Sequence, residues 1–142
     1  MATQLLIAAV YILFEKDDKI LMIHRFNTGY ADGKYSLVAG HVEKGESFKD
    51  AAVRESLEEI GVKIRKQDLE FFHVMYRSTE AGERVDMFFS IKKWEGDAVN
   101  MEPNKCDELI WVNLNKLPEN SLDYVEFALQ SKLKNINMSE WN

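Results

Sequence analysis

Residues 40–62, with the sequence GHVEKGESFKDAAVRESLEEIGV, constrain the fold of this chain more than any other stretch. Ser47 suits the position that precedes a helix, and Asp50, three residues later, resembles the second member of a capping box. Gly61 is typical of the residue just past a helix end. The stretch therefore predicts a helix over residues 47–60 that is entered from a glycine-bearing loop.

The predicted helix has two contrasting faces. At about 100° per residue, Val53, Leu57 and Ile60 fall on one side, and we expect that side to pack on a sheet. The acidic residues fall on the other side and are expected to face away from the sheet. They are Glu55, Glu58 and Glu59.

The acidic face carries several small electrostatic penalties. Glu55 forms like-charge pairs with Glu58 and Glu59, each costing roughly 0.2–0.5 kcal/mol. Glu58 and Glu59 also lie in the last turn, where the helix dipole favours cations by about 0.3–1 kcal/mol. The loop of residues 40–45 can bring backbone carbonyls close to the same face. A divalent cation would supply the missing charge, and carboxylate oxygens suit Mg²⁺ or Mn²⁺.

A solvated acidic surface is the alternative interpretation of this face. Arg54 can reach Glu58 at i,i+4 and hold it in orientation. The alternative for Arg54 is an ordinary helix salt bridge, which contributes little stability.

These residues resemble the Nudix box. Its pattern is Gly, five residues, Glu, seven residues, Arg-Glu, an aliphatic residue, any residue, Glu-Glu, any residue, Gly and an aliphatic residue. The matching residues are Gly40, Glu46, Arg54, Glu55, Glu58, Glu59, Gly61 and Val62. Ser56 departs from the pattern, since the family usually has an aliphatic residue there. We place Ser56 at the margin of the buried face and expect a packing change rather than lost chemistry.

The resemblance to Nudix hydrolases, which include MutT-like nucleotide pyrophosphohydrolases, implies both a fold and a site. The implied fold is an α/β/α sandwich with a mixed β-sheet between helices, in a single domain over residues 1–142 with the box at residues 40–62. The implied cofactor is Mg²⁺, or Mn²⁺. The implied metal ligands are the Gly40 carbonyl, Glu55, Glu58 and Glu59. Arg54 would orient the carboxylates, and Glu46 would support the junction between loop and helix, so that the implied catalytic residues are Glu46, Arg54, Glu55 and Glu58.

The proton acceptor and the substrate contacts are less defined. Glu55 or Glu58 could accept the proton of the attacking water, as could a glutamate from a later loop. The candidate substrate contacts outside the box are Arg25, Tyr35, Glu102 and Glu108. Arg25 could contact a phosphate or be a surface side chain, and the tyrosine could stack on a base or pack in the core. The two later glutamates could equally serve loop solubility.

The remaining pattern predicts strands around the acidic helix and a second helix at the end. The predicted strands cover residues 5–14, 20–23, 69–77, 85–93 and 109–114, with a short extended segment at residues 35–39. The closing helix covers residues 122–133, and its apolar stripe consists of Leu122, Val125, Leu129 and Leu133. Strands before and after a central helix, with a helix at the end, predict a mixed sheet between helices.

Composition limits the partners. The chain has 142 residues and a formal net charge of -6, which argues against a nucleic-acid groove or an anionic membrane surface. The apolar run at residues 5–14 is half the length of a spanning helix, which needs about 20 residues. The single cysteine, Cys106, allows no intrachain disulfide and fits a reducing compartment. We expect a cytoplasmic protein with a small-molecule nucleotide substrate, and a homodimer is left open.

The choice of substrate depends on features outside the box. ADP-ribose pyrophosphatases often carry a proline shortly after the box, and the only prolines here are Pro103 and Pro118. The aromatic tract typical of NADH pyrophosphatases is also absent. We therefore predict hydrolysis of a nucleoside triphosphate to a monophosphate and pyrophosphate. The alternatives are a nucleotide sugar, ADP-ribose or dinucleoside polyphosphate as substrate, or a non-catalytic nucleotide-binding regulator with the Nudix fold.

Overall fold

A computed structural model describes residues 2–142, and its elements follow the predicted order closely. The strands are β1 (Ile7–Lys16), β2 (Lys19–Arg25), β3 (Tyr35–Ser36), β4 (Val38–His41), β5 (Glu70–Thr79), β6 (Gly82–Ile91), β7 (Cys106–Asn113) and β8 (Met138–Trp141). The helices are α1 (Phe48–Ile60) and α2 (Asp123–Leu133), with a short 3-10 turn at Lys66–Asp68. Strand β8 and the 3-10 turn are absent from the sequence-based prediction.

Strand β1 lies at the centre of the sheet. It pairs in parallel with β6 over residues 7–14 and antiparallel with β4 over residues 9–12, and a hairpin joins it to β2. Strand β5 pairs antiparallel with β6 and parallel with β8, while β2 pairs antiparallel with β3 and β7. Within residues 2–142 the eight strands therefore form one mixed sheet, as predicted.

The side chains of β1 alternate between two hydrophobic clusters, one beneath each helix. The α1 side of the core contains Val10, Ile12 and Phe14 with Ala52 and Ile60. The α2 side contains Ala9, Tyr11 and Leu13 with Val125 and Leu129. Burial on both faces confirms the prediction for this strand, although Leu5 and Leu6 are exposed and precede it. The sheet thus lies between two helices, which confirms the predicted α/β/α arrangement.

Helix α1 begins and ends at the predicted residues. The Ser47 hydroxyl accepts a hydrogen bond from the Asp50 N–H at 3.1 Å, and the Asp50 carboxylate accepts one from the Ser47 N–H at 3.0 Å. The pKa of Asp50 is lowered to about 2, first by a hydrogen bond from Lys66 and then by those from Ser47. Gly61 ends the helix with a φ of 71°, in the left-handed region that suits glycine.

The predicted orientation of α1 is correct only in part. Ile60 is buried, Val53 packs on the core and Glu58 is exposed, as predicted for this helix. Its buried residues are Ala51, Ala52, Ser56 and Ile60. Leu57, expected on the buried side, is 49% exposed, whereas Ser56 is fully buried and donates its hydroxyl to the Ala52 carbonyl at 2.7 Å. Small side chains on this face let the helix approach the sheet closely. Glu55 and Glu59 consequently face β4 instead of pointing away from the sheet.

Helix α2 matches its prediction except at its last turn. Leu122, Val125 and Leu129 are buried, but Leu133, the last residue of the helix, is 54% exposed. Within residues 2–142, neither helix has the length and apolar character needed to cross a bilayer.

The capping box yields a stability prediction. Replacing Ser47 with Ala removes the side-chain acceptor for the Asp50 N–H, and we expect the free energy of unfolding to fall by about 1 kcal/mol. Denaturant unfolding at neutral pH would measure this change. Ser47→Thr is the matched control, because it keeps the hydroxyl and should lose much less. Equal losses in the two variants would show that the cap contributes nothing specific.

Candidate active site

Arg54 connects the loop before α1 to the acidic residues of the helix. Its Nε and Nη2 atoms donate to the two carboxylate oxygens of Glu46 at 2.8 and 3.0 Å. Its Nη1 donates to Glu55 at 2.6 Å and to Glu58 at 3.3 Å, and Nη2 also donates to the His41 carbonyl at 2.9 Å. The guanidinium therefore holds three carboxylates and the end of β4 in one arrangement. Its own pKa is raised, first by the hydrogen bond to Glu46.

Glu46 ties the loop to the start of the helix, as expected from its position. One of its oxygens accepts a hydrogen bond from the Glu43 N–H at 2.9 Å, in addition to the two bonds from Arg54. These bonds lower the pKa of Glu46, the one from Arg54 most strongly. The side chain thus acts as a charged support for the arginine.

Two glutamates of α1 lie directly against the backbone of β4. A Cβ atom at Gly40 would come within 2.7 Å of Glu55 Cγ and closer still to its carboxyl group. The Ala39 N–H donates to the Glu59 carboxylate at 3.1 Å. The pKa of Glu59 is raised well above its usual value, first by burial and then by the hydrogen bond and charge of Glu55. Glycine at position 40 therefore creates the space in which these two carboxyl groups meet.

These groups open into a cleft of about 520 Å³ between β4, α1 and the loop that precedes β7. Its walls include Gly40 and the glutamates at positions 55, 58, 59 and 102. The negative charge of Glu102 contributes to the raised pKa of Glu59. Two basic residues, Arg25 and Lys105, line the same cleft. The cleft thus combines a carboxylate cluster with cations that could contact a phosphorylated ligand.

Arg25 is fixed at the end of β2. Its Nε donates to the Tyr30 carbonyl at 2.9 Å and its Nη2 to the Thr28 hydroxyl at 3.1 Å, so the loop after β2 orients the guanidinium. Its predicted role as a phosphate contact stays a prediction, and its place in the cleft is compatible with it.

Two of the predicted substrate contacts lie elsewhere. The Tyr35 hydroxyl donates to Glu108 at 3.2 Å, and neither side chain lines the cleft. The burial of the phenol and the charge of Glu108 raise the pKa of Tyr35. Of the two later glutamates, only Glu102 is brought to the box residues.

A second, smaller pocket adjoins the cleft, and the sequence interpretation missed its residues. Arg77, Arg84 and Tyr124 line a space of about 150 Å³ that shares Arg25 and Gly40 with the cleft. The sequence could have indicated this pair, because pairing β5 and β6 as a hairpin places Arg77 directly opposite Arg84. Like charges in that position are destabilising unless something between them compensates.

Comparison with known proteins places this geometry in a family. The model of the NUDIX domain family matches residues 4–130. This range includes the whole box and the strands that line the cleft and the small pocket. The chain belongs to the Nudix family. The predicted family resemblance is therefore confirmed.

The curated relatives of this Nudix chain act on different substrates according to their names. An ADP-ribose pyrophosphatase of Methanocaldococcus jannaschii is 31% identical over 116 residues, covering 82% of this chain and 67% of that protein. The NAD-capped RNA hydrolase NudC of Pseudomonas putida is 28% identical over 116 residues, covering 78% of this chain. The chain spans only 37% of that NudC protein.

Solved structures confirm the Nudix fold. The MutT NUDIX hydrolase from Burkholderia pseudomallei superposes with a TM-score of 0.81 at 22% identity, covering 89% of this chain and 98% of that one. The solution structure of the E. coli ORF135 protein gives a TM-score of 0.79 at 22% identity, covering 92% and 91%. At these identities the superpositions show the fold alone.

Nudix proteins generally use a divalent metal ion, and the residues present fit one. Gly40 leaves room for Glu55 against the backbone, and the pKa of Glu59 is raised, first by burial and then by the neighbouring Glu55 carboxyl group. The donors that Gly40 and the glutamates at positions 55, 58 and 59 offer are all oxygen atoms, which suit a hard cation such as Mg²⁺. Within residues 2–142, no three His, Cys, Asp or Glu side chains are already grouped as a metal cage, and Arg54 is the cation that contacts Glu55 and Glu58.

The close approach at Gly40 yields a prediction about metal affinity. Gly40→Ala places a Cβ in the space of the Glu55 carboxyl group, so this side chain must move away from β4. We expect binding of Mn²⁺, measured by calorimetry, to weaken by roughly 10–100-fold while the fold is retained. Adding Gly40→Ala to a Glu55→Ala protein should cost nothing further, because the clash is then gone. A full additional loss in the double variant would contradict this explanation.

The raised pKa of Glu59 yields a prediction about pH. A carboxyl group whose pKa is raised on folding binds its proton more tightly in the folded state, so stability falls as pH rises from the unfolded value near 4.3 towards the folded value. Glu59→Gln removes this loss. Without divalent metal, the variant should be more stable than the wild type at pH 7, by on the order of 1 kcal/mol.

Thermal unfolding in the presence of a chelator, from pH 3.5 to pH 8, would measure this difference. The two proteins should converge below about pH 4, where Glu59 is protonated in both states. Excess Mg²⁺ should reverse the order at pH 7, because only the wild type retains the carboxylate. Parallel pH profiles for the two proteins would contradict the assignment.

Proposed function

We propose that this Nudix protein is a divalent-cation-dependent pyrophosphohydrolase that converts a nucleoside triphosphate into a monophosphate and pyrophosphate. The observation that carries the proposal is the meeting of Glu55 and Glu59 against β4, in a cleft that also contains cations. Arg54 holds Glu55 and Glu58, whereas Glu59 is held by the Ala39 N–H, and a non-catalytic regulator would have no need for this crowded group of carboxylates. The match to the Nudix family supports the same reaction class.

The ligands proposed for the metal ion are the Gly40 carbonyl and the carboxylates of Glu55, Glu58 and Glu59. When bound, Mg²⁺ offsets the negative charge of the phosphates and the charge that develops during their hydrolysis. Arg54 keeps the carboxylates oriented by its bonds to Glu55 and Glu58.

The chain's other residues in the cleft are proposed to position the substrate and move the proton. Arg25 and Lys105 contact phosphate oxygens. Water attacks one phosphorus atom, its proton passes to a carboxylate, and the bridging oxygen leaves with the second product. We assign Glu102 as the acceptor of the proton from the attacking water. It lines the cleft and is not held by Arg54, whereas Glu55 and Glu58 are.

A second candidate substrate is a diphosphate that joins two nucleoside or sugar groups, as in ADP-ribose. The similarity to the ADP-ribose pyrophosphatase of Methanocaldococcus jannaschii favours it, at 31% identity over most of both chains. The same cleft would serve this reaction, since the diphosphate is the common element. We also infer that residues 1–142 form one domain, and that its partner is a small nucleotide. The expectations about nucleic acid, membranes, cellular location and a homodimer stay predictions.

A substrate panel tests the proposal. The panel comprises nucleoside triphosphates, deoxynucleoside triphosphates, oxidised triphosphates, ADP-ribose, nucleotide sugars and dinucleoside polyphosphates, each with Mg²⁺ and with Mn²⁺. We expect pyrophosphate release from at least one triphosphate, and a fall in kcat of about 100-fold or more in Glu59→Gln, because a charged metal ligand becomes neutral. A colorimetric pyrophosphate assay would detect the first candidate reaction. Hydrolysis of a diphosphate diester gives two phosphate monoesters, so added alkaline phosphatase and a phosphate assay would detect the second.

Glu102→Gln and Glu108→Gln form a matched pair for the proton acceptor. Only the first should lower kcat, since Glu108 is paired with Tyr35 outside the cleft. Silence of the folded, metal-bound wild type across the panel would overturn the proposed activity and favour a binding role.

A further inference from the structure

The small pocket beside the cleft differs from it in charge. Its lining within the described residues includes Arg25, Arg77 and Arg84 and contains no aspartate or glutamate. The neighbouring cleft, by contrast, is lined by four glutamates. The two spaces share the β4 backbone around Gly40 and the guanidinium of Arg25, so one elongated ligand could enter both.

The hairpin of β5 and β6 places two of these arginines side by side. Arg77 and Arg84 are direct partners in its register, and their side chains therefore lie on the same face of the sheet. Arg77 is buried, donates from Nε to Asp86 at 2.7 Å, and stacks on Tyr124 with its guanidinium carbon 3.7 Å from the ring centre. The aromatic ring and the carboxylate thus fix the direction of this guanidinium.

Asp86 does not neutralise the pair completely. It is fully buried and is the single carboxylate in ion-pair contact with the two arginines, at 2.7 Å from Arg77 and 3.5 Å from Arg84. The longer contact leaves Arg84 Nε and Asp86 Oδ1 buried without a hydrogen-bond partner among the described residues. Arg84 is only partly buried, and its Nη1 lies 3.5 Å from His41 Nε2. An unpaired buried donor is costly, so an anion that accepts from the Arg84 guanidinium would stabilise the arrangement.

The neighbouring phenol reports the same positive potential. Burial alone would raise the pKa of Tyr30, but hydrogen bonds from Tyr124 and Arg77 and the positive charges of Arg77 and Arg84 lower it. The arginines therefore favour negative charge at Tyr30, whereas burial raises the pKa of Tyr11 and of Tyr124, the other two phenols that line the pocket.

We propose that Arg77 and Arg84 bind an oxyanion, a phosphate or a carboxylate, on the group that the substrate carries beyond its metal-bound diphosphate. This inference rests on the proposed function, because it names the substrate class of the same site. A pocket of about 150 Å³ is below the usual range of roughly 300–1,000 Å³ for a whole small-molecule ligand, so it accepts one end of a ligand only. Paired guanidinium groups match the geometry of carboxylate and phosphate oxygens.

Matched substrates that differ by one charged group test the proposal. UDP-glucose and UDP-glucuronate differ by a carboxylate, and NADH and NADPH differ by a phosphate. In the wild type, kcat/KM should favour the charged member of at least one pair by about tenfold or more, as expected for one charge-assisted hydrogen bond. The pair that shows the preference identifies the source of the oxyanion.

Arg84→Gln is the test variant, because Arg84 is less buried than Arg77 and its removal leaves the bond between Arg77 and Asp86 intact. The preference should collapse towards one in Arg84→Gln and be partly restored in Arg84→Lys. Arg65→Gln is the matched control: its exposed side chain pairs with Asp68 and lines neither the cleft nor the small pocket, so the preference should persist. A purely structural role for Arg84 would lower the thermal stability of the variant without changing the ratio within a pair.

A second readout does not depend on turnover. Inorganic phosphate, added without divalent metal, should raise the unfolding temperature of the wild type and of Arg65→Gln but not that of Arg84→Gln. Equal kcat/KM within both pairs, or a preference that survives in Arg84→Gln, overturns the inference while the hydrolase stands. If neither pair is hydrolysed, as for an enzyme that accepts only nucleoside triphosphates, the phosphate response alone decides: its loss in Arg84→Gln supports the small pocket as an anion site, and its persistence overturns the inference. Only silence across the whole nucleotide panel would overturn the proposed function as well.

Discussion

The absence of a side chain at Gly40 is the constraint on which the site depends. It lets the Glu55 carboxyl group lie directly against β4, where any Cβ would overlap it. The small residues Ala52 and Ser56 on the same face of α1 make that approach possible, since they are fully buried against the sheet. Arg54 then supplies the positive charge that keeps the crowded carboxylates in place. The close packing of α1 on β4 and the compensating charge of Arg54 therefore depend on each other. Without Arg54, the crowded carboxylates would be unfavourable, and without the close packing, Arg54 would lack these partners.

Strand β4 separates two regions of opposite charge. On the α1 side, carboxylates dominate, and a cation is needed to balance them. On the α2 side, Arg77 and Arg84 dominate, and Asp86 balances them only in part. A phosphorylated substrate suits both regions if a metal ion accompanies its diphosphate and a second anionic group reaches the arginines. Arg25 lies at the boundary and lines both spaces, so it could contact the part of the ligand that joins them.

Much of this arrangement could be predicted from the sequence, because it is encoded locally. Ser47, Asp50 and Gly61 specify the ends of α1 through backbone hydrogen bonds that involve only near neighbours. The rotation of α1 could not be predicted in this way. A helical wheel considers only the hydrophobicity of each residue, so it predicted exposed glutamates and a buried Leu57. In the structure, Ser56 is buried and Glu55 faces the sheet. The compensation comes from Arg54 and from β4, which the wheel does not contain.

The sequence interpretation missed the small pocket beside the cleft for a related reason. Arg77 and Arg84 become neighbours only through the register of β5 and β6. The net charge of the chain, which is dominated by its 24 acidic residues, gives no sign of this local positive charge. The box carboxylates lie on α1, on one side of the sheet, whereas Tyr11 and Tyr124 belong to the core beneath α2. Substitutions on the α2 side can therefore change what is recognised without disturbing the carboxylates.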